Sequence, residues 1–237
     1  VKDVFQNLNR IDGGVVLDAA TGRGEFIHLL KQYLRSYTQI IGVDYSEKSV
    51  DYAQKLFPEN NVEIYRMNLE KLPFEDGHFD TVCTSNSLHH FENLDIVLTE
   101  MMRVLKPEGT FILTEMYADG KQSQPQLTHV KMHHWVAKVD SLSGIYHDST
   151  FTKEALIQIA KGLKLKQMKI EEFYPEVDDP KDYKTSAGLI KNCQDTIRRL
   201  EQLGDYPELI LEGKELIARI NDIGFASASR ILIIGYK

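Results

Sequence analysis

The sequence predicts an α/β fold, a mostly parallel sheet covered by helices on both faces. Three observations predict it. Over the first 115 residues, short apolar runs alternate with segments of helical period, the pattern that builds strand–helix–strand units with right-handed crossovers. The apolar runs are nearly continuous, as strands buried on both faces require. Asp18 and Asp44 end two of these runs, where the chain must leave the sheet for a loop.

The elements follow in order. "GVVLDAA" is a buried strand, and "GEFIHLLKQYL" follows as a helix with Phe26, Leu29, Leu30, Tyr33 and Leu34 on one face. "QIIGVDY" is the second strand. Ser46 then suits the N-cap of "EKSVDYAQKLF", because its hydroxyl can accept from a first-turn amide. "VEIYRMN" and "FDTVCTSN" read as strands three and four. The helix "LDIVLTEMMRVL" stops at "KPEG", where Pro107 and Gly109 oppose its continuation, and "TFILTEM" is the fifth strand.

After Met116 the rhythm changes. Polar, turn-rich "YADGKQSQPQ" precedes a helix at "LTHVKMHHWVAKV". "FTKEALIQIAKGL" is helical again, with Phe151 and Leu156 spaced as a hydrophobic staple around an N-cap at Thr152. "KLKQMKIEEFY" is strand-like and "PEVDDPKD" is a linker. Two amphipathic helices follow, joined by "LGDYP": one carries Leu189, Ile190, Cys193, Ile197 and Leu200, the other Leu216, Ile217, Ile220 and Ile223. "SRILIIGYK" is the last strand. The expected organisation is one domain over 1–237, with 117–150 and 178–225 as helical lid or insertion segments.

Composition narrows the function classes. The 237 residues are 42% hydrophobic and 27% charged, as a chain with a packed core requires. A net charge of −7 argues against a nucleic-acid backbone as partner. No apolar run reaches the roughly 18 residues of a membrane span, and "VKDVFQNLNR" has no signal-peptide hydrophobic region. Cys83 and Cys193 lack any C-x-x-C spacing and read as reduced core thiols, so a cytoplasmic setting is expected.

The turn after the first strand holds the chemistry. In a parallel sheet, ligands bind beyond the carboxyl ends of the strands, where "DAATGRG" lies. A dinucleotide fingerprint, G-x-G-x-x-G/A, would need a small residue at Ile27, and a P-loop would need a Lys-Ser/Thr pair; neither is present. Asp44 ends the second strand 20 residues after Gly24. A carboxylate there can accept both hydroxyls of a ribose while repelling a 2′-phosphate.

Taken together, "VVLDAATGRGEF", "IIGVDYSEKSVDYAQ", "MNLEKLPFEDGHFDTVCTSNSLHHF" and "EMMRVLKPEGTFILTEM" resemble the successive motifs of class I S-adenosylmethionine-dependent methyltransferases. The similar branch is the small-molecule one that includes the ubiquinone and menaquinone biosynthesis methyltransferases. The resemblance implies a Rossmann-like seven-stranded sheet of order 3-2-1-4-5-7-6 with its last strand antiparallel, and S-adenosyl-L-methionine as cofactor. It implies that residues 18–24, including Asp18, Ala20, Gly22 and Gly24, meet the methionyl part, with Asp18 toward its amino group. Asp44 would hold the ribose, Tyr45 would lie against the adenine, Asn68 and Leu69 would meet its edge, and Ser85 would present backbone to the methionyl end. Two positions depart from the pattern: Ala20 replaces a glycine, and Asn68 stands where aspartate is commoner.

The histidines are the candidates for acceptor chemistry. His89 follows strand four and is favoured as a base or orienting donor, against the alternative that His89 and His90 only cap or pack. In "THVKMHHW", His129 and His133 are four apart, as paired metal ligands on a helix would be, with His134, Trp135 and His147 nearby. Three readings stay open: metal ligands, a lid lining an acceptor pocket, or ordinary packing. No H-E-x-x-H pattern and no assisting cysteine is present, so no metal is expected. A lid with Trp135 as aromatic wall, and with His90, Tyr117 and His133 contacting the acceptor, is the expectation. The expected function is methyl transfer to a small organic acceptor, with a homodimer as a possible assembly. The alternatives are a non-catalytic cofactor-binding or regulatory protein and an NAD-dependent oxidoreductase.

Overall fold

The computed structural model describes residues 4–237; the expectation that the start of the chain carries no leader falls partly on residues outside that range. Contacts divide the chain into two compact units. One comprises residues 4–115, Ile157–Glu172 and Ile231–Lys237, and the other Met116–Leu156 and Phe173–Arg230. The expected insertions, 117–150 and 178–225, fall within the second.

The first unit is built on seven strands: β1 Val15–Ala19, β2 Gln39–Asp44, β3 Val62–Arg66, β4 Phe79–Ser85, β5 Leu105–Met116, β6 Lys166–Phe173 and β7 Arg230–Tyr236. Their order is β3-β2-β1-β4-β5-β7-β6, as the resemblance implies. The β1–β2, β1–β4, β2–β3 and β4–β5 pairs are parallel. β7 runs antiparallel to β5, and the Lys237 amide donates to the Gly109 carbonyl at 3.1 Å. Leu17, Ile40, Phe79, Val82, Phe111 and Ile112 are fully buried, because a sheet covered on both faces buries side chains of either parity.

Helices α1 (Glu25–Tyr33), α2 (Glu47–Leu56), α3 (Leu94–Val104) and α5 (Lys153–Gly162) accompany these strands in the chain. The Ser46 hydroxyl caps α2, accepting from the Ser49 amide at 3.3 Å. Thr152 does the same for α5 through the Ala155 amide at 3.2 Å. Two details differ from the expectation. The buried stripe of α1 is Phe26, Ile27 and Leu30, continued by Leu34 just beyond the helix, whereas Leu29 and Tyr33 lie at its edge. "KPEG" does not precede β5 but sits inside it, as a bulge where the register shifts between Phe79 and Thr81 and Glu108 takes φ 62°. A bulge tolerates Pro107 because its nitrogen is not called on as a ladder donor.

The second unit packs α4 (Gln124–Leu142), α6 (Tyr183–Leu203) and α7 (Pro207–Asp222) around one core. α4 starts three residues before the expected run, because Ser123 and Gln126 close a capping box. Trp135, Val139, Cys193, Leu200 and Ile220 form the centre of that core. Gly213 of α7 lets the Trp135 ring approach: any side chain there would collide with it. The indole Nε1 donates to the Leu209 carbonyl at 2.8 Å, so the ring is buried with its one donor satisfied. This corrects the expectation for Trp135. It is a packing residue of the helical unit, not an exposed aromatic wall. Among the described residues, no helix is long and apolar enough to cross a membrane.

Candidate active site

The carboxyl ends of β1, β2 and β4 are neighbours in the sheet, and the loops leaving them carry most of the candidate residues. Between β1 and α1 the backbone takes positive φ at alternate positions: Ala20 (58°), Gly22 (55°) and Gly24 (89°). Glycine enters that region without strain, whereas alanine there costs about 1–2 kcal/mol. Gly24 has no substitute, because a Cβ would strike the Phe57 ring, but a Cβ on Gly22 would meet nothing within 4 Å. The turn therefore leaves space on its Gly22 side and is packed on its Gly24 side.

Asp44 ties this turn to β2. One carboxylate oxygen accepts from the Gly22 amide at 2.8 Å and the other from the Ser46 amide at 2.8 Å. Each oxygen keeps a further lone pair, so the carboxylate is fixed in place and can still receive two hydroxyls. Tyr45, the next residue, is 72% exposed, and the Arg66 guanidinium stands 5.6 Å from its ring centre. Asn68 lies just beyond β3, and the Met67 amide next to it donates to the Asp44 carbonyl at 3.0 Å. The Asn68 side-chain oxygen accepts from the Glu70 amide at 2.9 Å, which makes it a turn former as well as a candidate ligand. Leu69 is buried beside it.

Asp18 is the electrostatic centre of the site. It is buried and accepts from the Thr21 hydroxyl at 2.5 Å and from the Cys83 thiol at 3.6 Å. Burial pushes its carboxyl from 3.8 up to about 7; the Thr21 and Cys83 hydrogen bonds oppose this, and the Asp44 charge adds to it. The same burial, with Asp18 beside it, holds the Cys83 thiol well above its ordinary range. Cys83 is thus inert, as expected of a reduced core thiol.

The end of β4 is stitched to β1. The Thr84 hydroxyl donates to the Ala19 carbonyl at 2.9 Å, and the Ser87 hydroxyl donates to the Ser85 carbonyl at 2.8 Å. The Ser85 carbonyl is thus engaged locally. A 3₁₀ turn at Leu88–His90 follows. It hangs on Glu115, a fully buried residue near the end of β5 that sequence reasoning missed. One Glu115 oxygen accepts from the Ser87 and Leu88 amides, both at 2.9 Å. The other stands 3.3 Å from His89 Nδ1, and His89 is only 2% exposed. The available signal was a carboxylate inside an otherwise apolar strand run. His90 is exposed, with its ring 4.4 Å from that of His89.

The remaining candidates, Tyr117, His133 and Trp135, belong to the second unit. Tyr117 is buried, and its amide donates to the Ser229 carbonyl at 3.1 Å. His129 and His133, four apart on α4, meet different partners. His129 Nδ1 accepts from the Ala228 amide at 2.9 Å, and burial followed by the Arg230 charge lowers its pKa to about 4. His133 meets His147 instead, with Nε2 to Nε2 at 3.3 Å.

Residues 17–113 match the family described as "Methyltransferase domain". An uncharacterized methyltransferase of Bacillus subtilis, YcgJ, is 34% identical over 106 residues, 44% of this chain and 41% of that protein. A demethylmenaquinone methyltransferase of Lactococcus lactis is 31% identical over 114 residues, 47% of this chain and 45% of that protein. The matched stretches thus span less than half of these relatives. The crystal structure of YcgJ has a TM-score of 0.60 at 21% identity, covering 99% of this chain and 96% of that one. A phosphoethanolamine N-methyltransferase of Haemonchus contortus, in complex with S-adenosyl-L-methionine, has a TM-score of 0.57 at 16% identity, covering 98% and 51%. Sequence match and strand order agree in likening residues 17–113 to the class I S-adenosylmethionine-dependent methyltransferases.

Proposed function

We propose that this chain transfers a methyl group from S-adenosyl-L-methionine to a small organic acceptor. The observation that carries the reading is the Asp44 carboxylate, clamped by the Gly22 and Ser46 amides beside a turn that leaves open space over Gly22. The cofactor, when bound, supplies a methyl group already made electrophilic by its sulfonium, so the protein's task is alignment. Good near-attack geometry can lower the barrier by about 7–11 kcal/mol. Asp44 would receive the ribose hydroxyls, Tyr45 would cover the adenine, and Asn68 and Leu69 would meet its edge. Asp18 would face the methionyl amino group from the floor of the turn, and Ser85 would offer backbone to the same end. The relatives' printed activities, on demethylmenaquinone and phosphoethanolamine, support a small-molecule acceptor.

His89 would take the proton that the acceptor loses as the new bond to the methyl carbon forms and S-adenosylhomocysteine leaves. Glu115, with one oxygen 3.3 Å from His89 Nδ1, stands beside the ring. His89→Ala is expected to lower kcat by about 10²–10⁴-fold with unchanged cofactor affinity. Equal turnover with the true acceptor removes His89 from the mechanism.

Titration calorimetry with S-adenosyl-L-methionine tests the reading as a whole. One site per chain is expected, and Asp44→Ala should weaken it by about 100-fold or more, since two charge-assisted hydrogen bonds are lost. A chain that binds no S-adenosyl-L-methionine, or binds it equally well without Asp44, does not have this function. Methyl-donor consumption across a panel of small acceptors then separates an enzyme from a protein that only binds the cofactor.

A further inference from the structure

We propose that His133 and His147 form a binding site for a divalent transition metal in the helical unit, oriented by Asp140 and Arg199. His133 lies on α4, and His147 lies on the segment that follows it. Their Nε2 atoms stand 3.3 Å apart, with the ring planes at 85°. Two imidazole nitrogens bound to one tetrahedral metal at about 2.0–2.1 Å are separated by about 3.3–3.4 Å. The pair is therefore already spaced as two corners of such a site.

The surroundings point the same way. His147 Nδ1 lies 2.9 Å from one Asp140 oxygen, and Arg199 Nη2 donates to the other at 3.0 Å. A carboxylate on the far nitrogen of an imidazole is the usual partner of a metal-binding histidine. It keeps the proton on Nδ1 and turns the Nε2 lone pair outward. At 3.3 Å the Nε2-to-Nε2 contact is slightly longer than the usual hydrogen-bond range. The two other histidines of α4 are engaged differently: His134 Nε2 is 2.6 Å from the Thr150 hydroxyl, and His129 Nδ1 accepts from the Ala228 amide. Paired imidazoles select Zn²⁺, Fe²⁺, Co²⁺ or Ni²⁺ over Mg²⁺ and Ca²⁺, which prefer oxygen. Water or the oxygen and nitrogen atoms of a small molecule can complete the coordination.

The test uses the full chain, freed of affinity tag and dialysed against chelator. ZnCl₂ is titrated by calorimetry, and CoCl₂ by its visible d–d absorption. One metal per chain is expected, with Mg²⁺ giving no heat. His133→Gln and His147→Gln should each weaken Zn²⁺ binding by about 100-fold, and Asp140→Asn by about 10–100-fold. His134→Gln should leave it unchanged. Circular dichroism confirms folding; His133 is only half-buried, so its variant decides the matter should His147→Gln melt below the assay temperature. Absence of saturable Zn²⁺ binding overturns the site. So does saturable binding that survives His133→Gln, because the metal is then held elsewhere. Neither result bears on cofactor binding at Asp44.

Discussion

Asp18→Asn is expected to make the free protein more stable at pH 8 and to weaken its hold on S-adenosyl-L-methionine. In the unfolded chain the carboxyl titrates near 3.8, and in the fold near 7. Between those values the native state holds a proton that the unfolded state has lost, so the Asp18 contribution to stability falls as pH rises through that window. Below about 4 it is fully present. Above about 7 it is gone, and the interval corresponds to about 4 kcal/mol as an upper bound. Asparagine is neutral at every pH and fills nearly the same space. The melting temperature of Asp18→Asn should therefore exceed that of the wild type at pH 8, with the difference shrinking toward pH 5. A difference that does not change with pH means that Asp18 is not buried as described.

The same titration makes a statement about function. A methionyl ammonium facing Asp18 would favour its ionised form, so cofactor binding near pH 7 should expel protons. Affinity should fall about tenfold for each pH unit below 7, until the pH is low enough to protonate Asp18 in the complex as well. Calorimetry in buffers of different ionisation enthalpy measures the released protons directly, and Asp18→Asn should abolish the release.

Glu115→Ala is the second large effect, and it acts on the fold around His89. The substitution strands two buried amides, Ser87 and Leu88, and removes the carboxylate beside His89 Nδ1. Each stranded donor costs about 1–3 kcal/mol, and the vacated volume adds to that. A loss of about 3–5 kcal/mol is expected, which for a chain of this size lowers the melting temperature by about 10 °C or more. Glu115→Gln keeps one oxygen for the two amides and should recover much of the stability. It should still disturb turnover, because the oxygen that stands 3.3 Å from His89 Nδ1 is changed. Thermal melts of the two variants decide the point; equal melting of Glu115→Ala and wild type denies Glu115 its anchoring role.

Much of the candidate site's framework was legible in the sequence because its information is local. Strand, turn and helix succeed one another within about ten residues, and Gly24 is dictated by a positive φ and a neighbouring ring. Asp18 and Asp44 could be placed at strand ends because apolar runs stop there. What was not legible is non-local. Glu115 serves amides 27 and 28 residues away, and nothing in "LTEM" announces that partner. Trp135 looked like a pocket wall because an aromatic beside histidines on a predicted helix has no visible inside or outside. Its burial depends on Gly213, far along the chain.

The sequence by itself determined the α/β class and, through a family resemblance, implied the strand order and named candidates for the ribose and methionyl contacts. The α/β class follows from periodicity and turn chemistry, which are properties of neighbouring residues; the rest is what the motif resemblance implies. Only the tertiary structure decided which buried charge is strained, what holds the turn at His89, and which histidine meets which. On a helix, spacing brings His129 and His133 to one face. The loop that carries His147 back to α4, and the Asp140 that fixes its ring, choose a different pair. A side chain's partner is set by where the backbone returns, and that is decided by packing rather than by its neighbours in the chain.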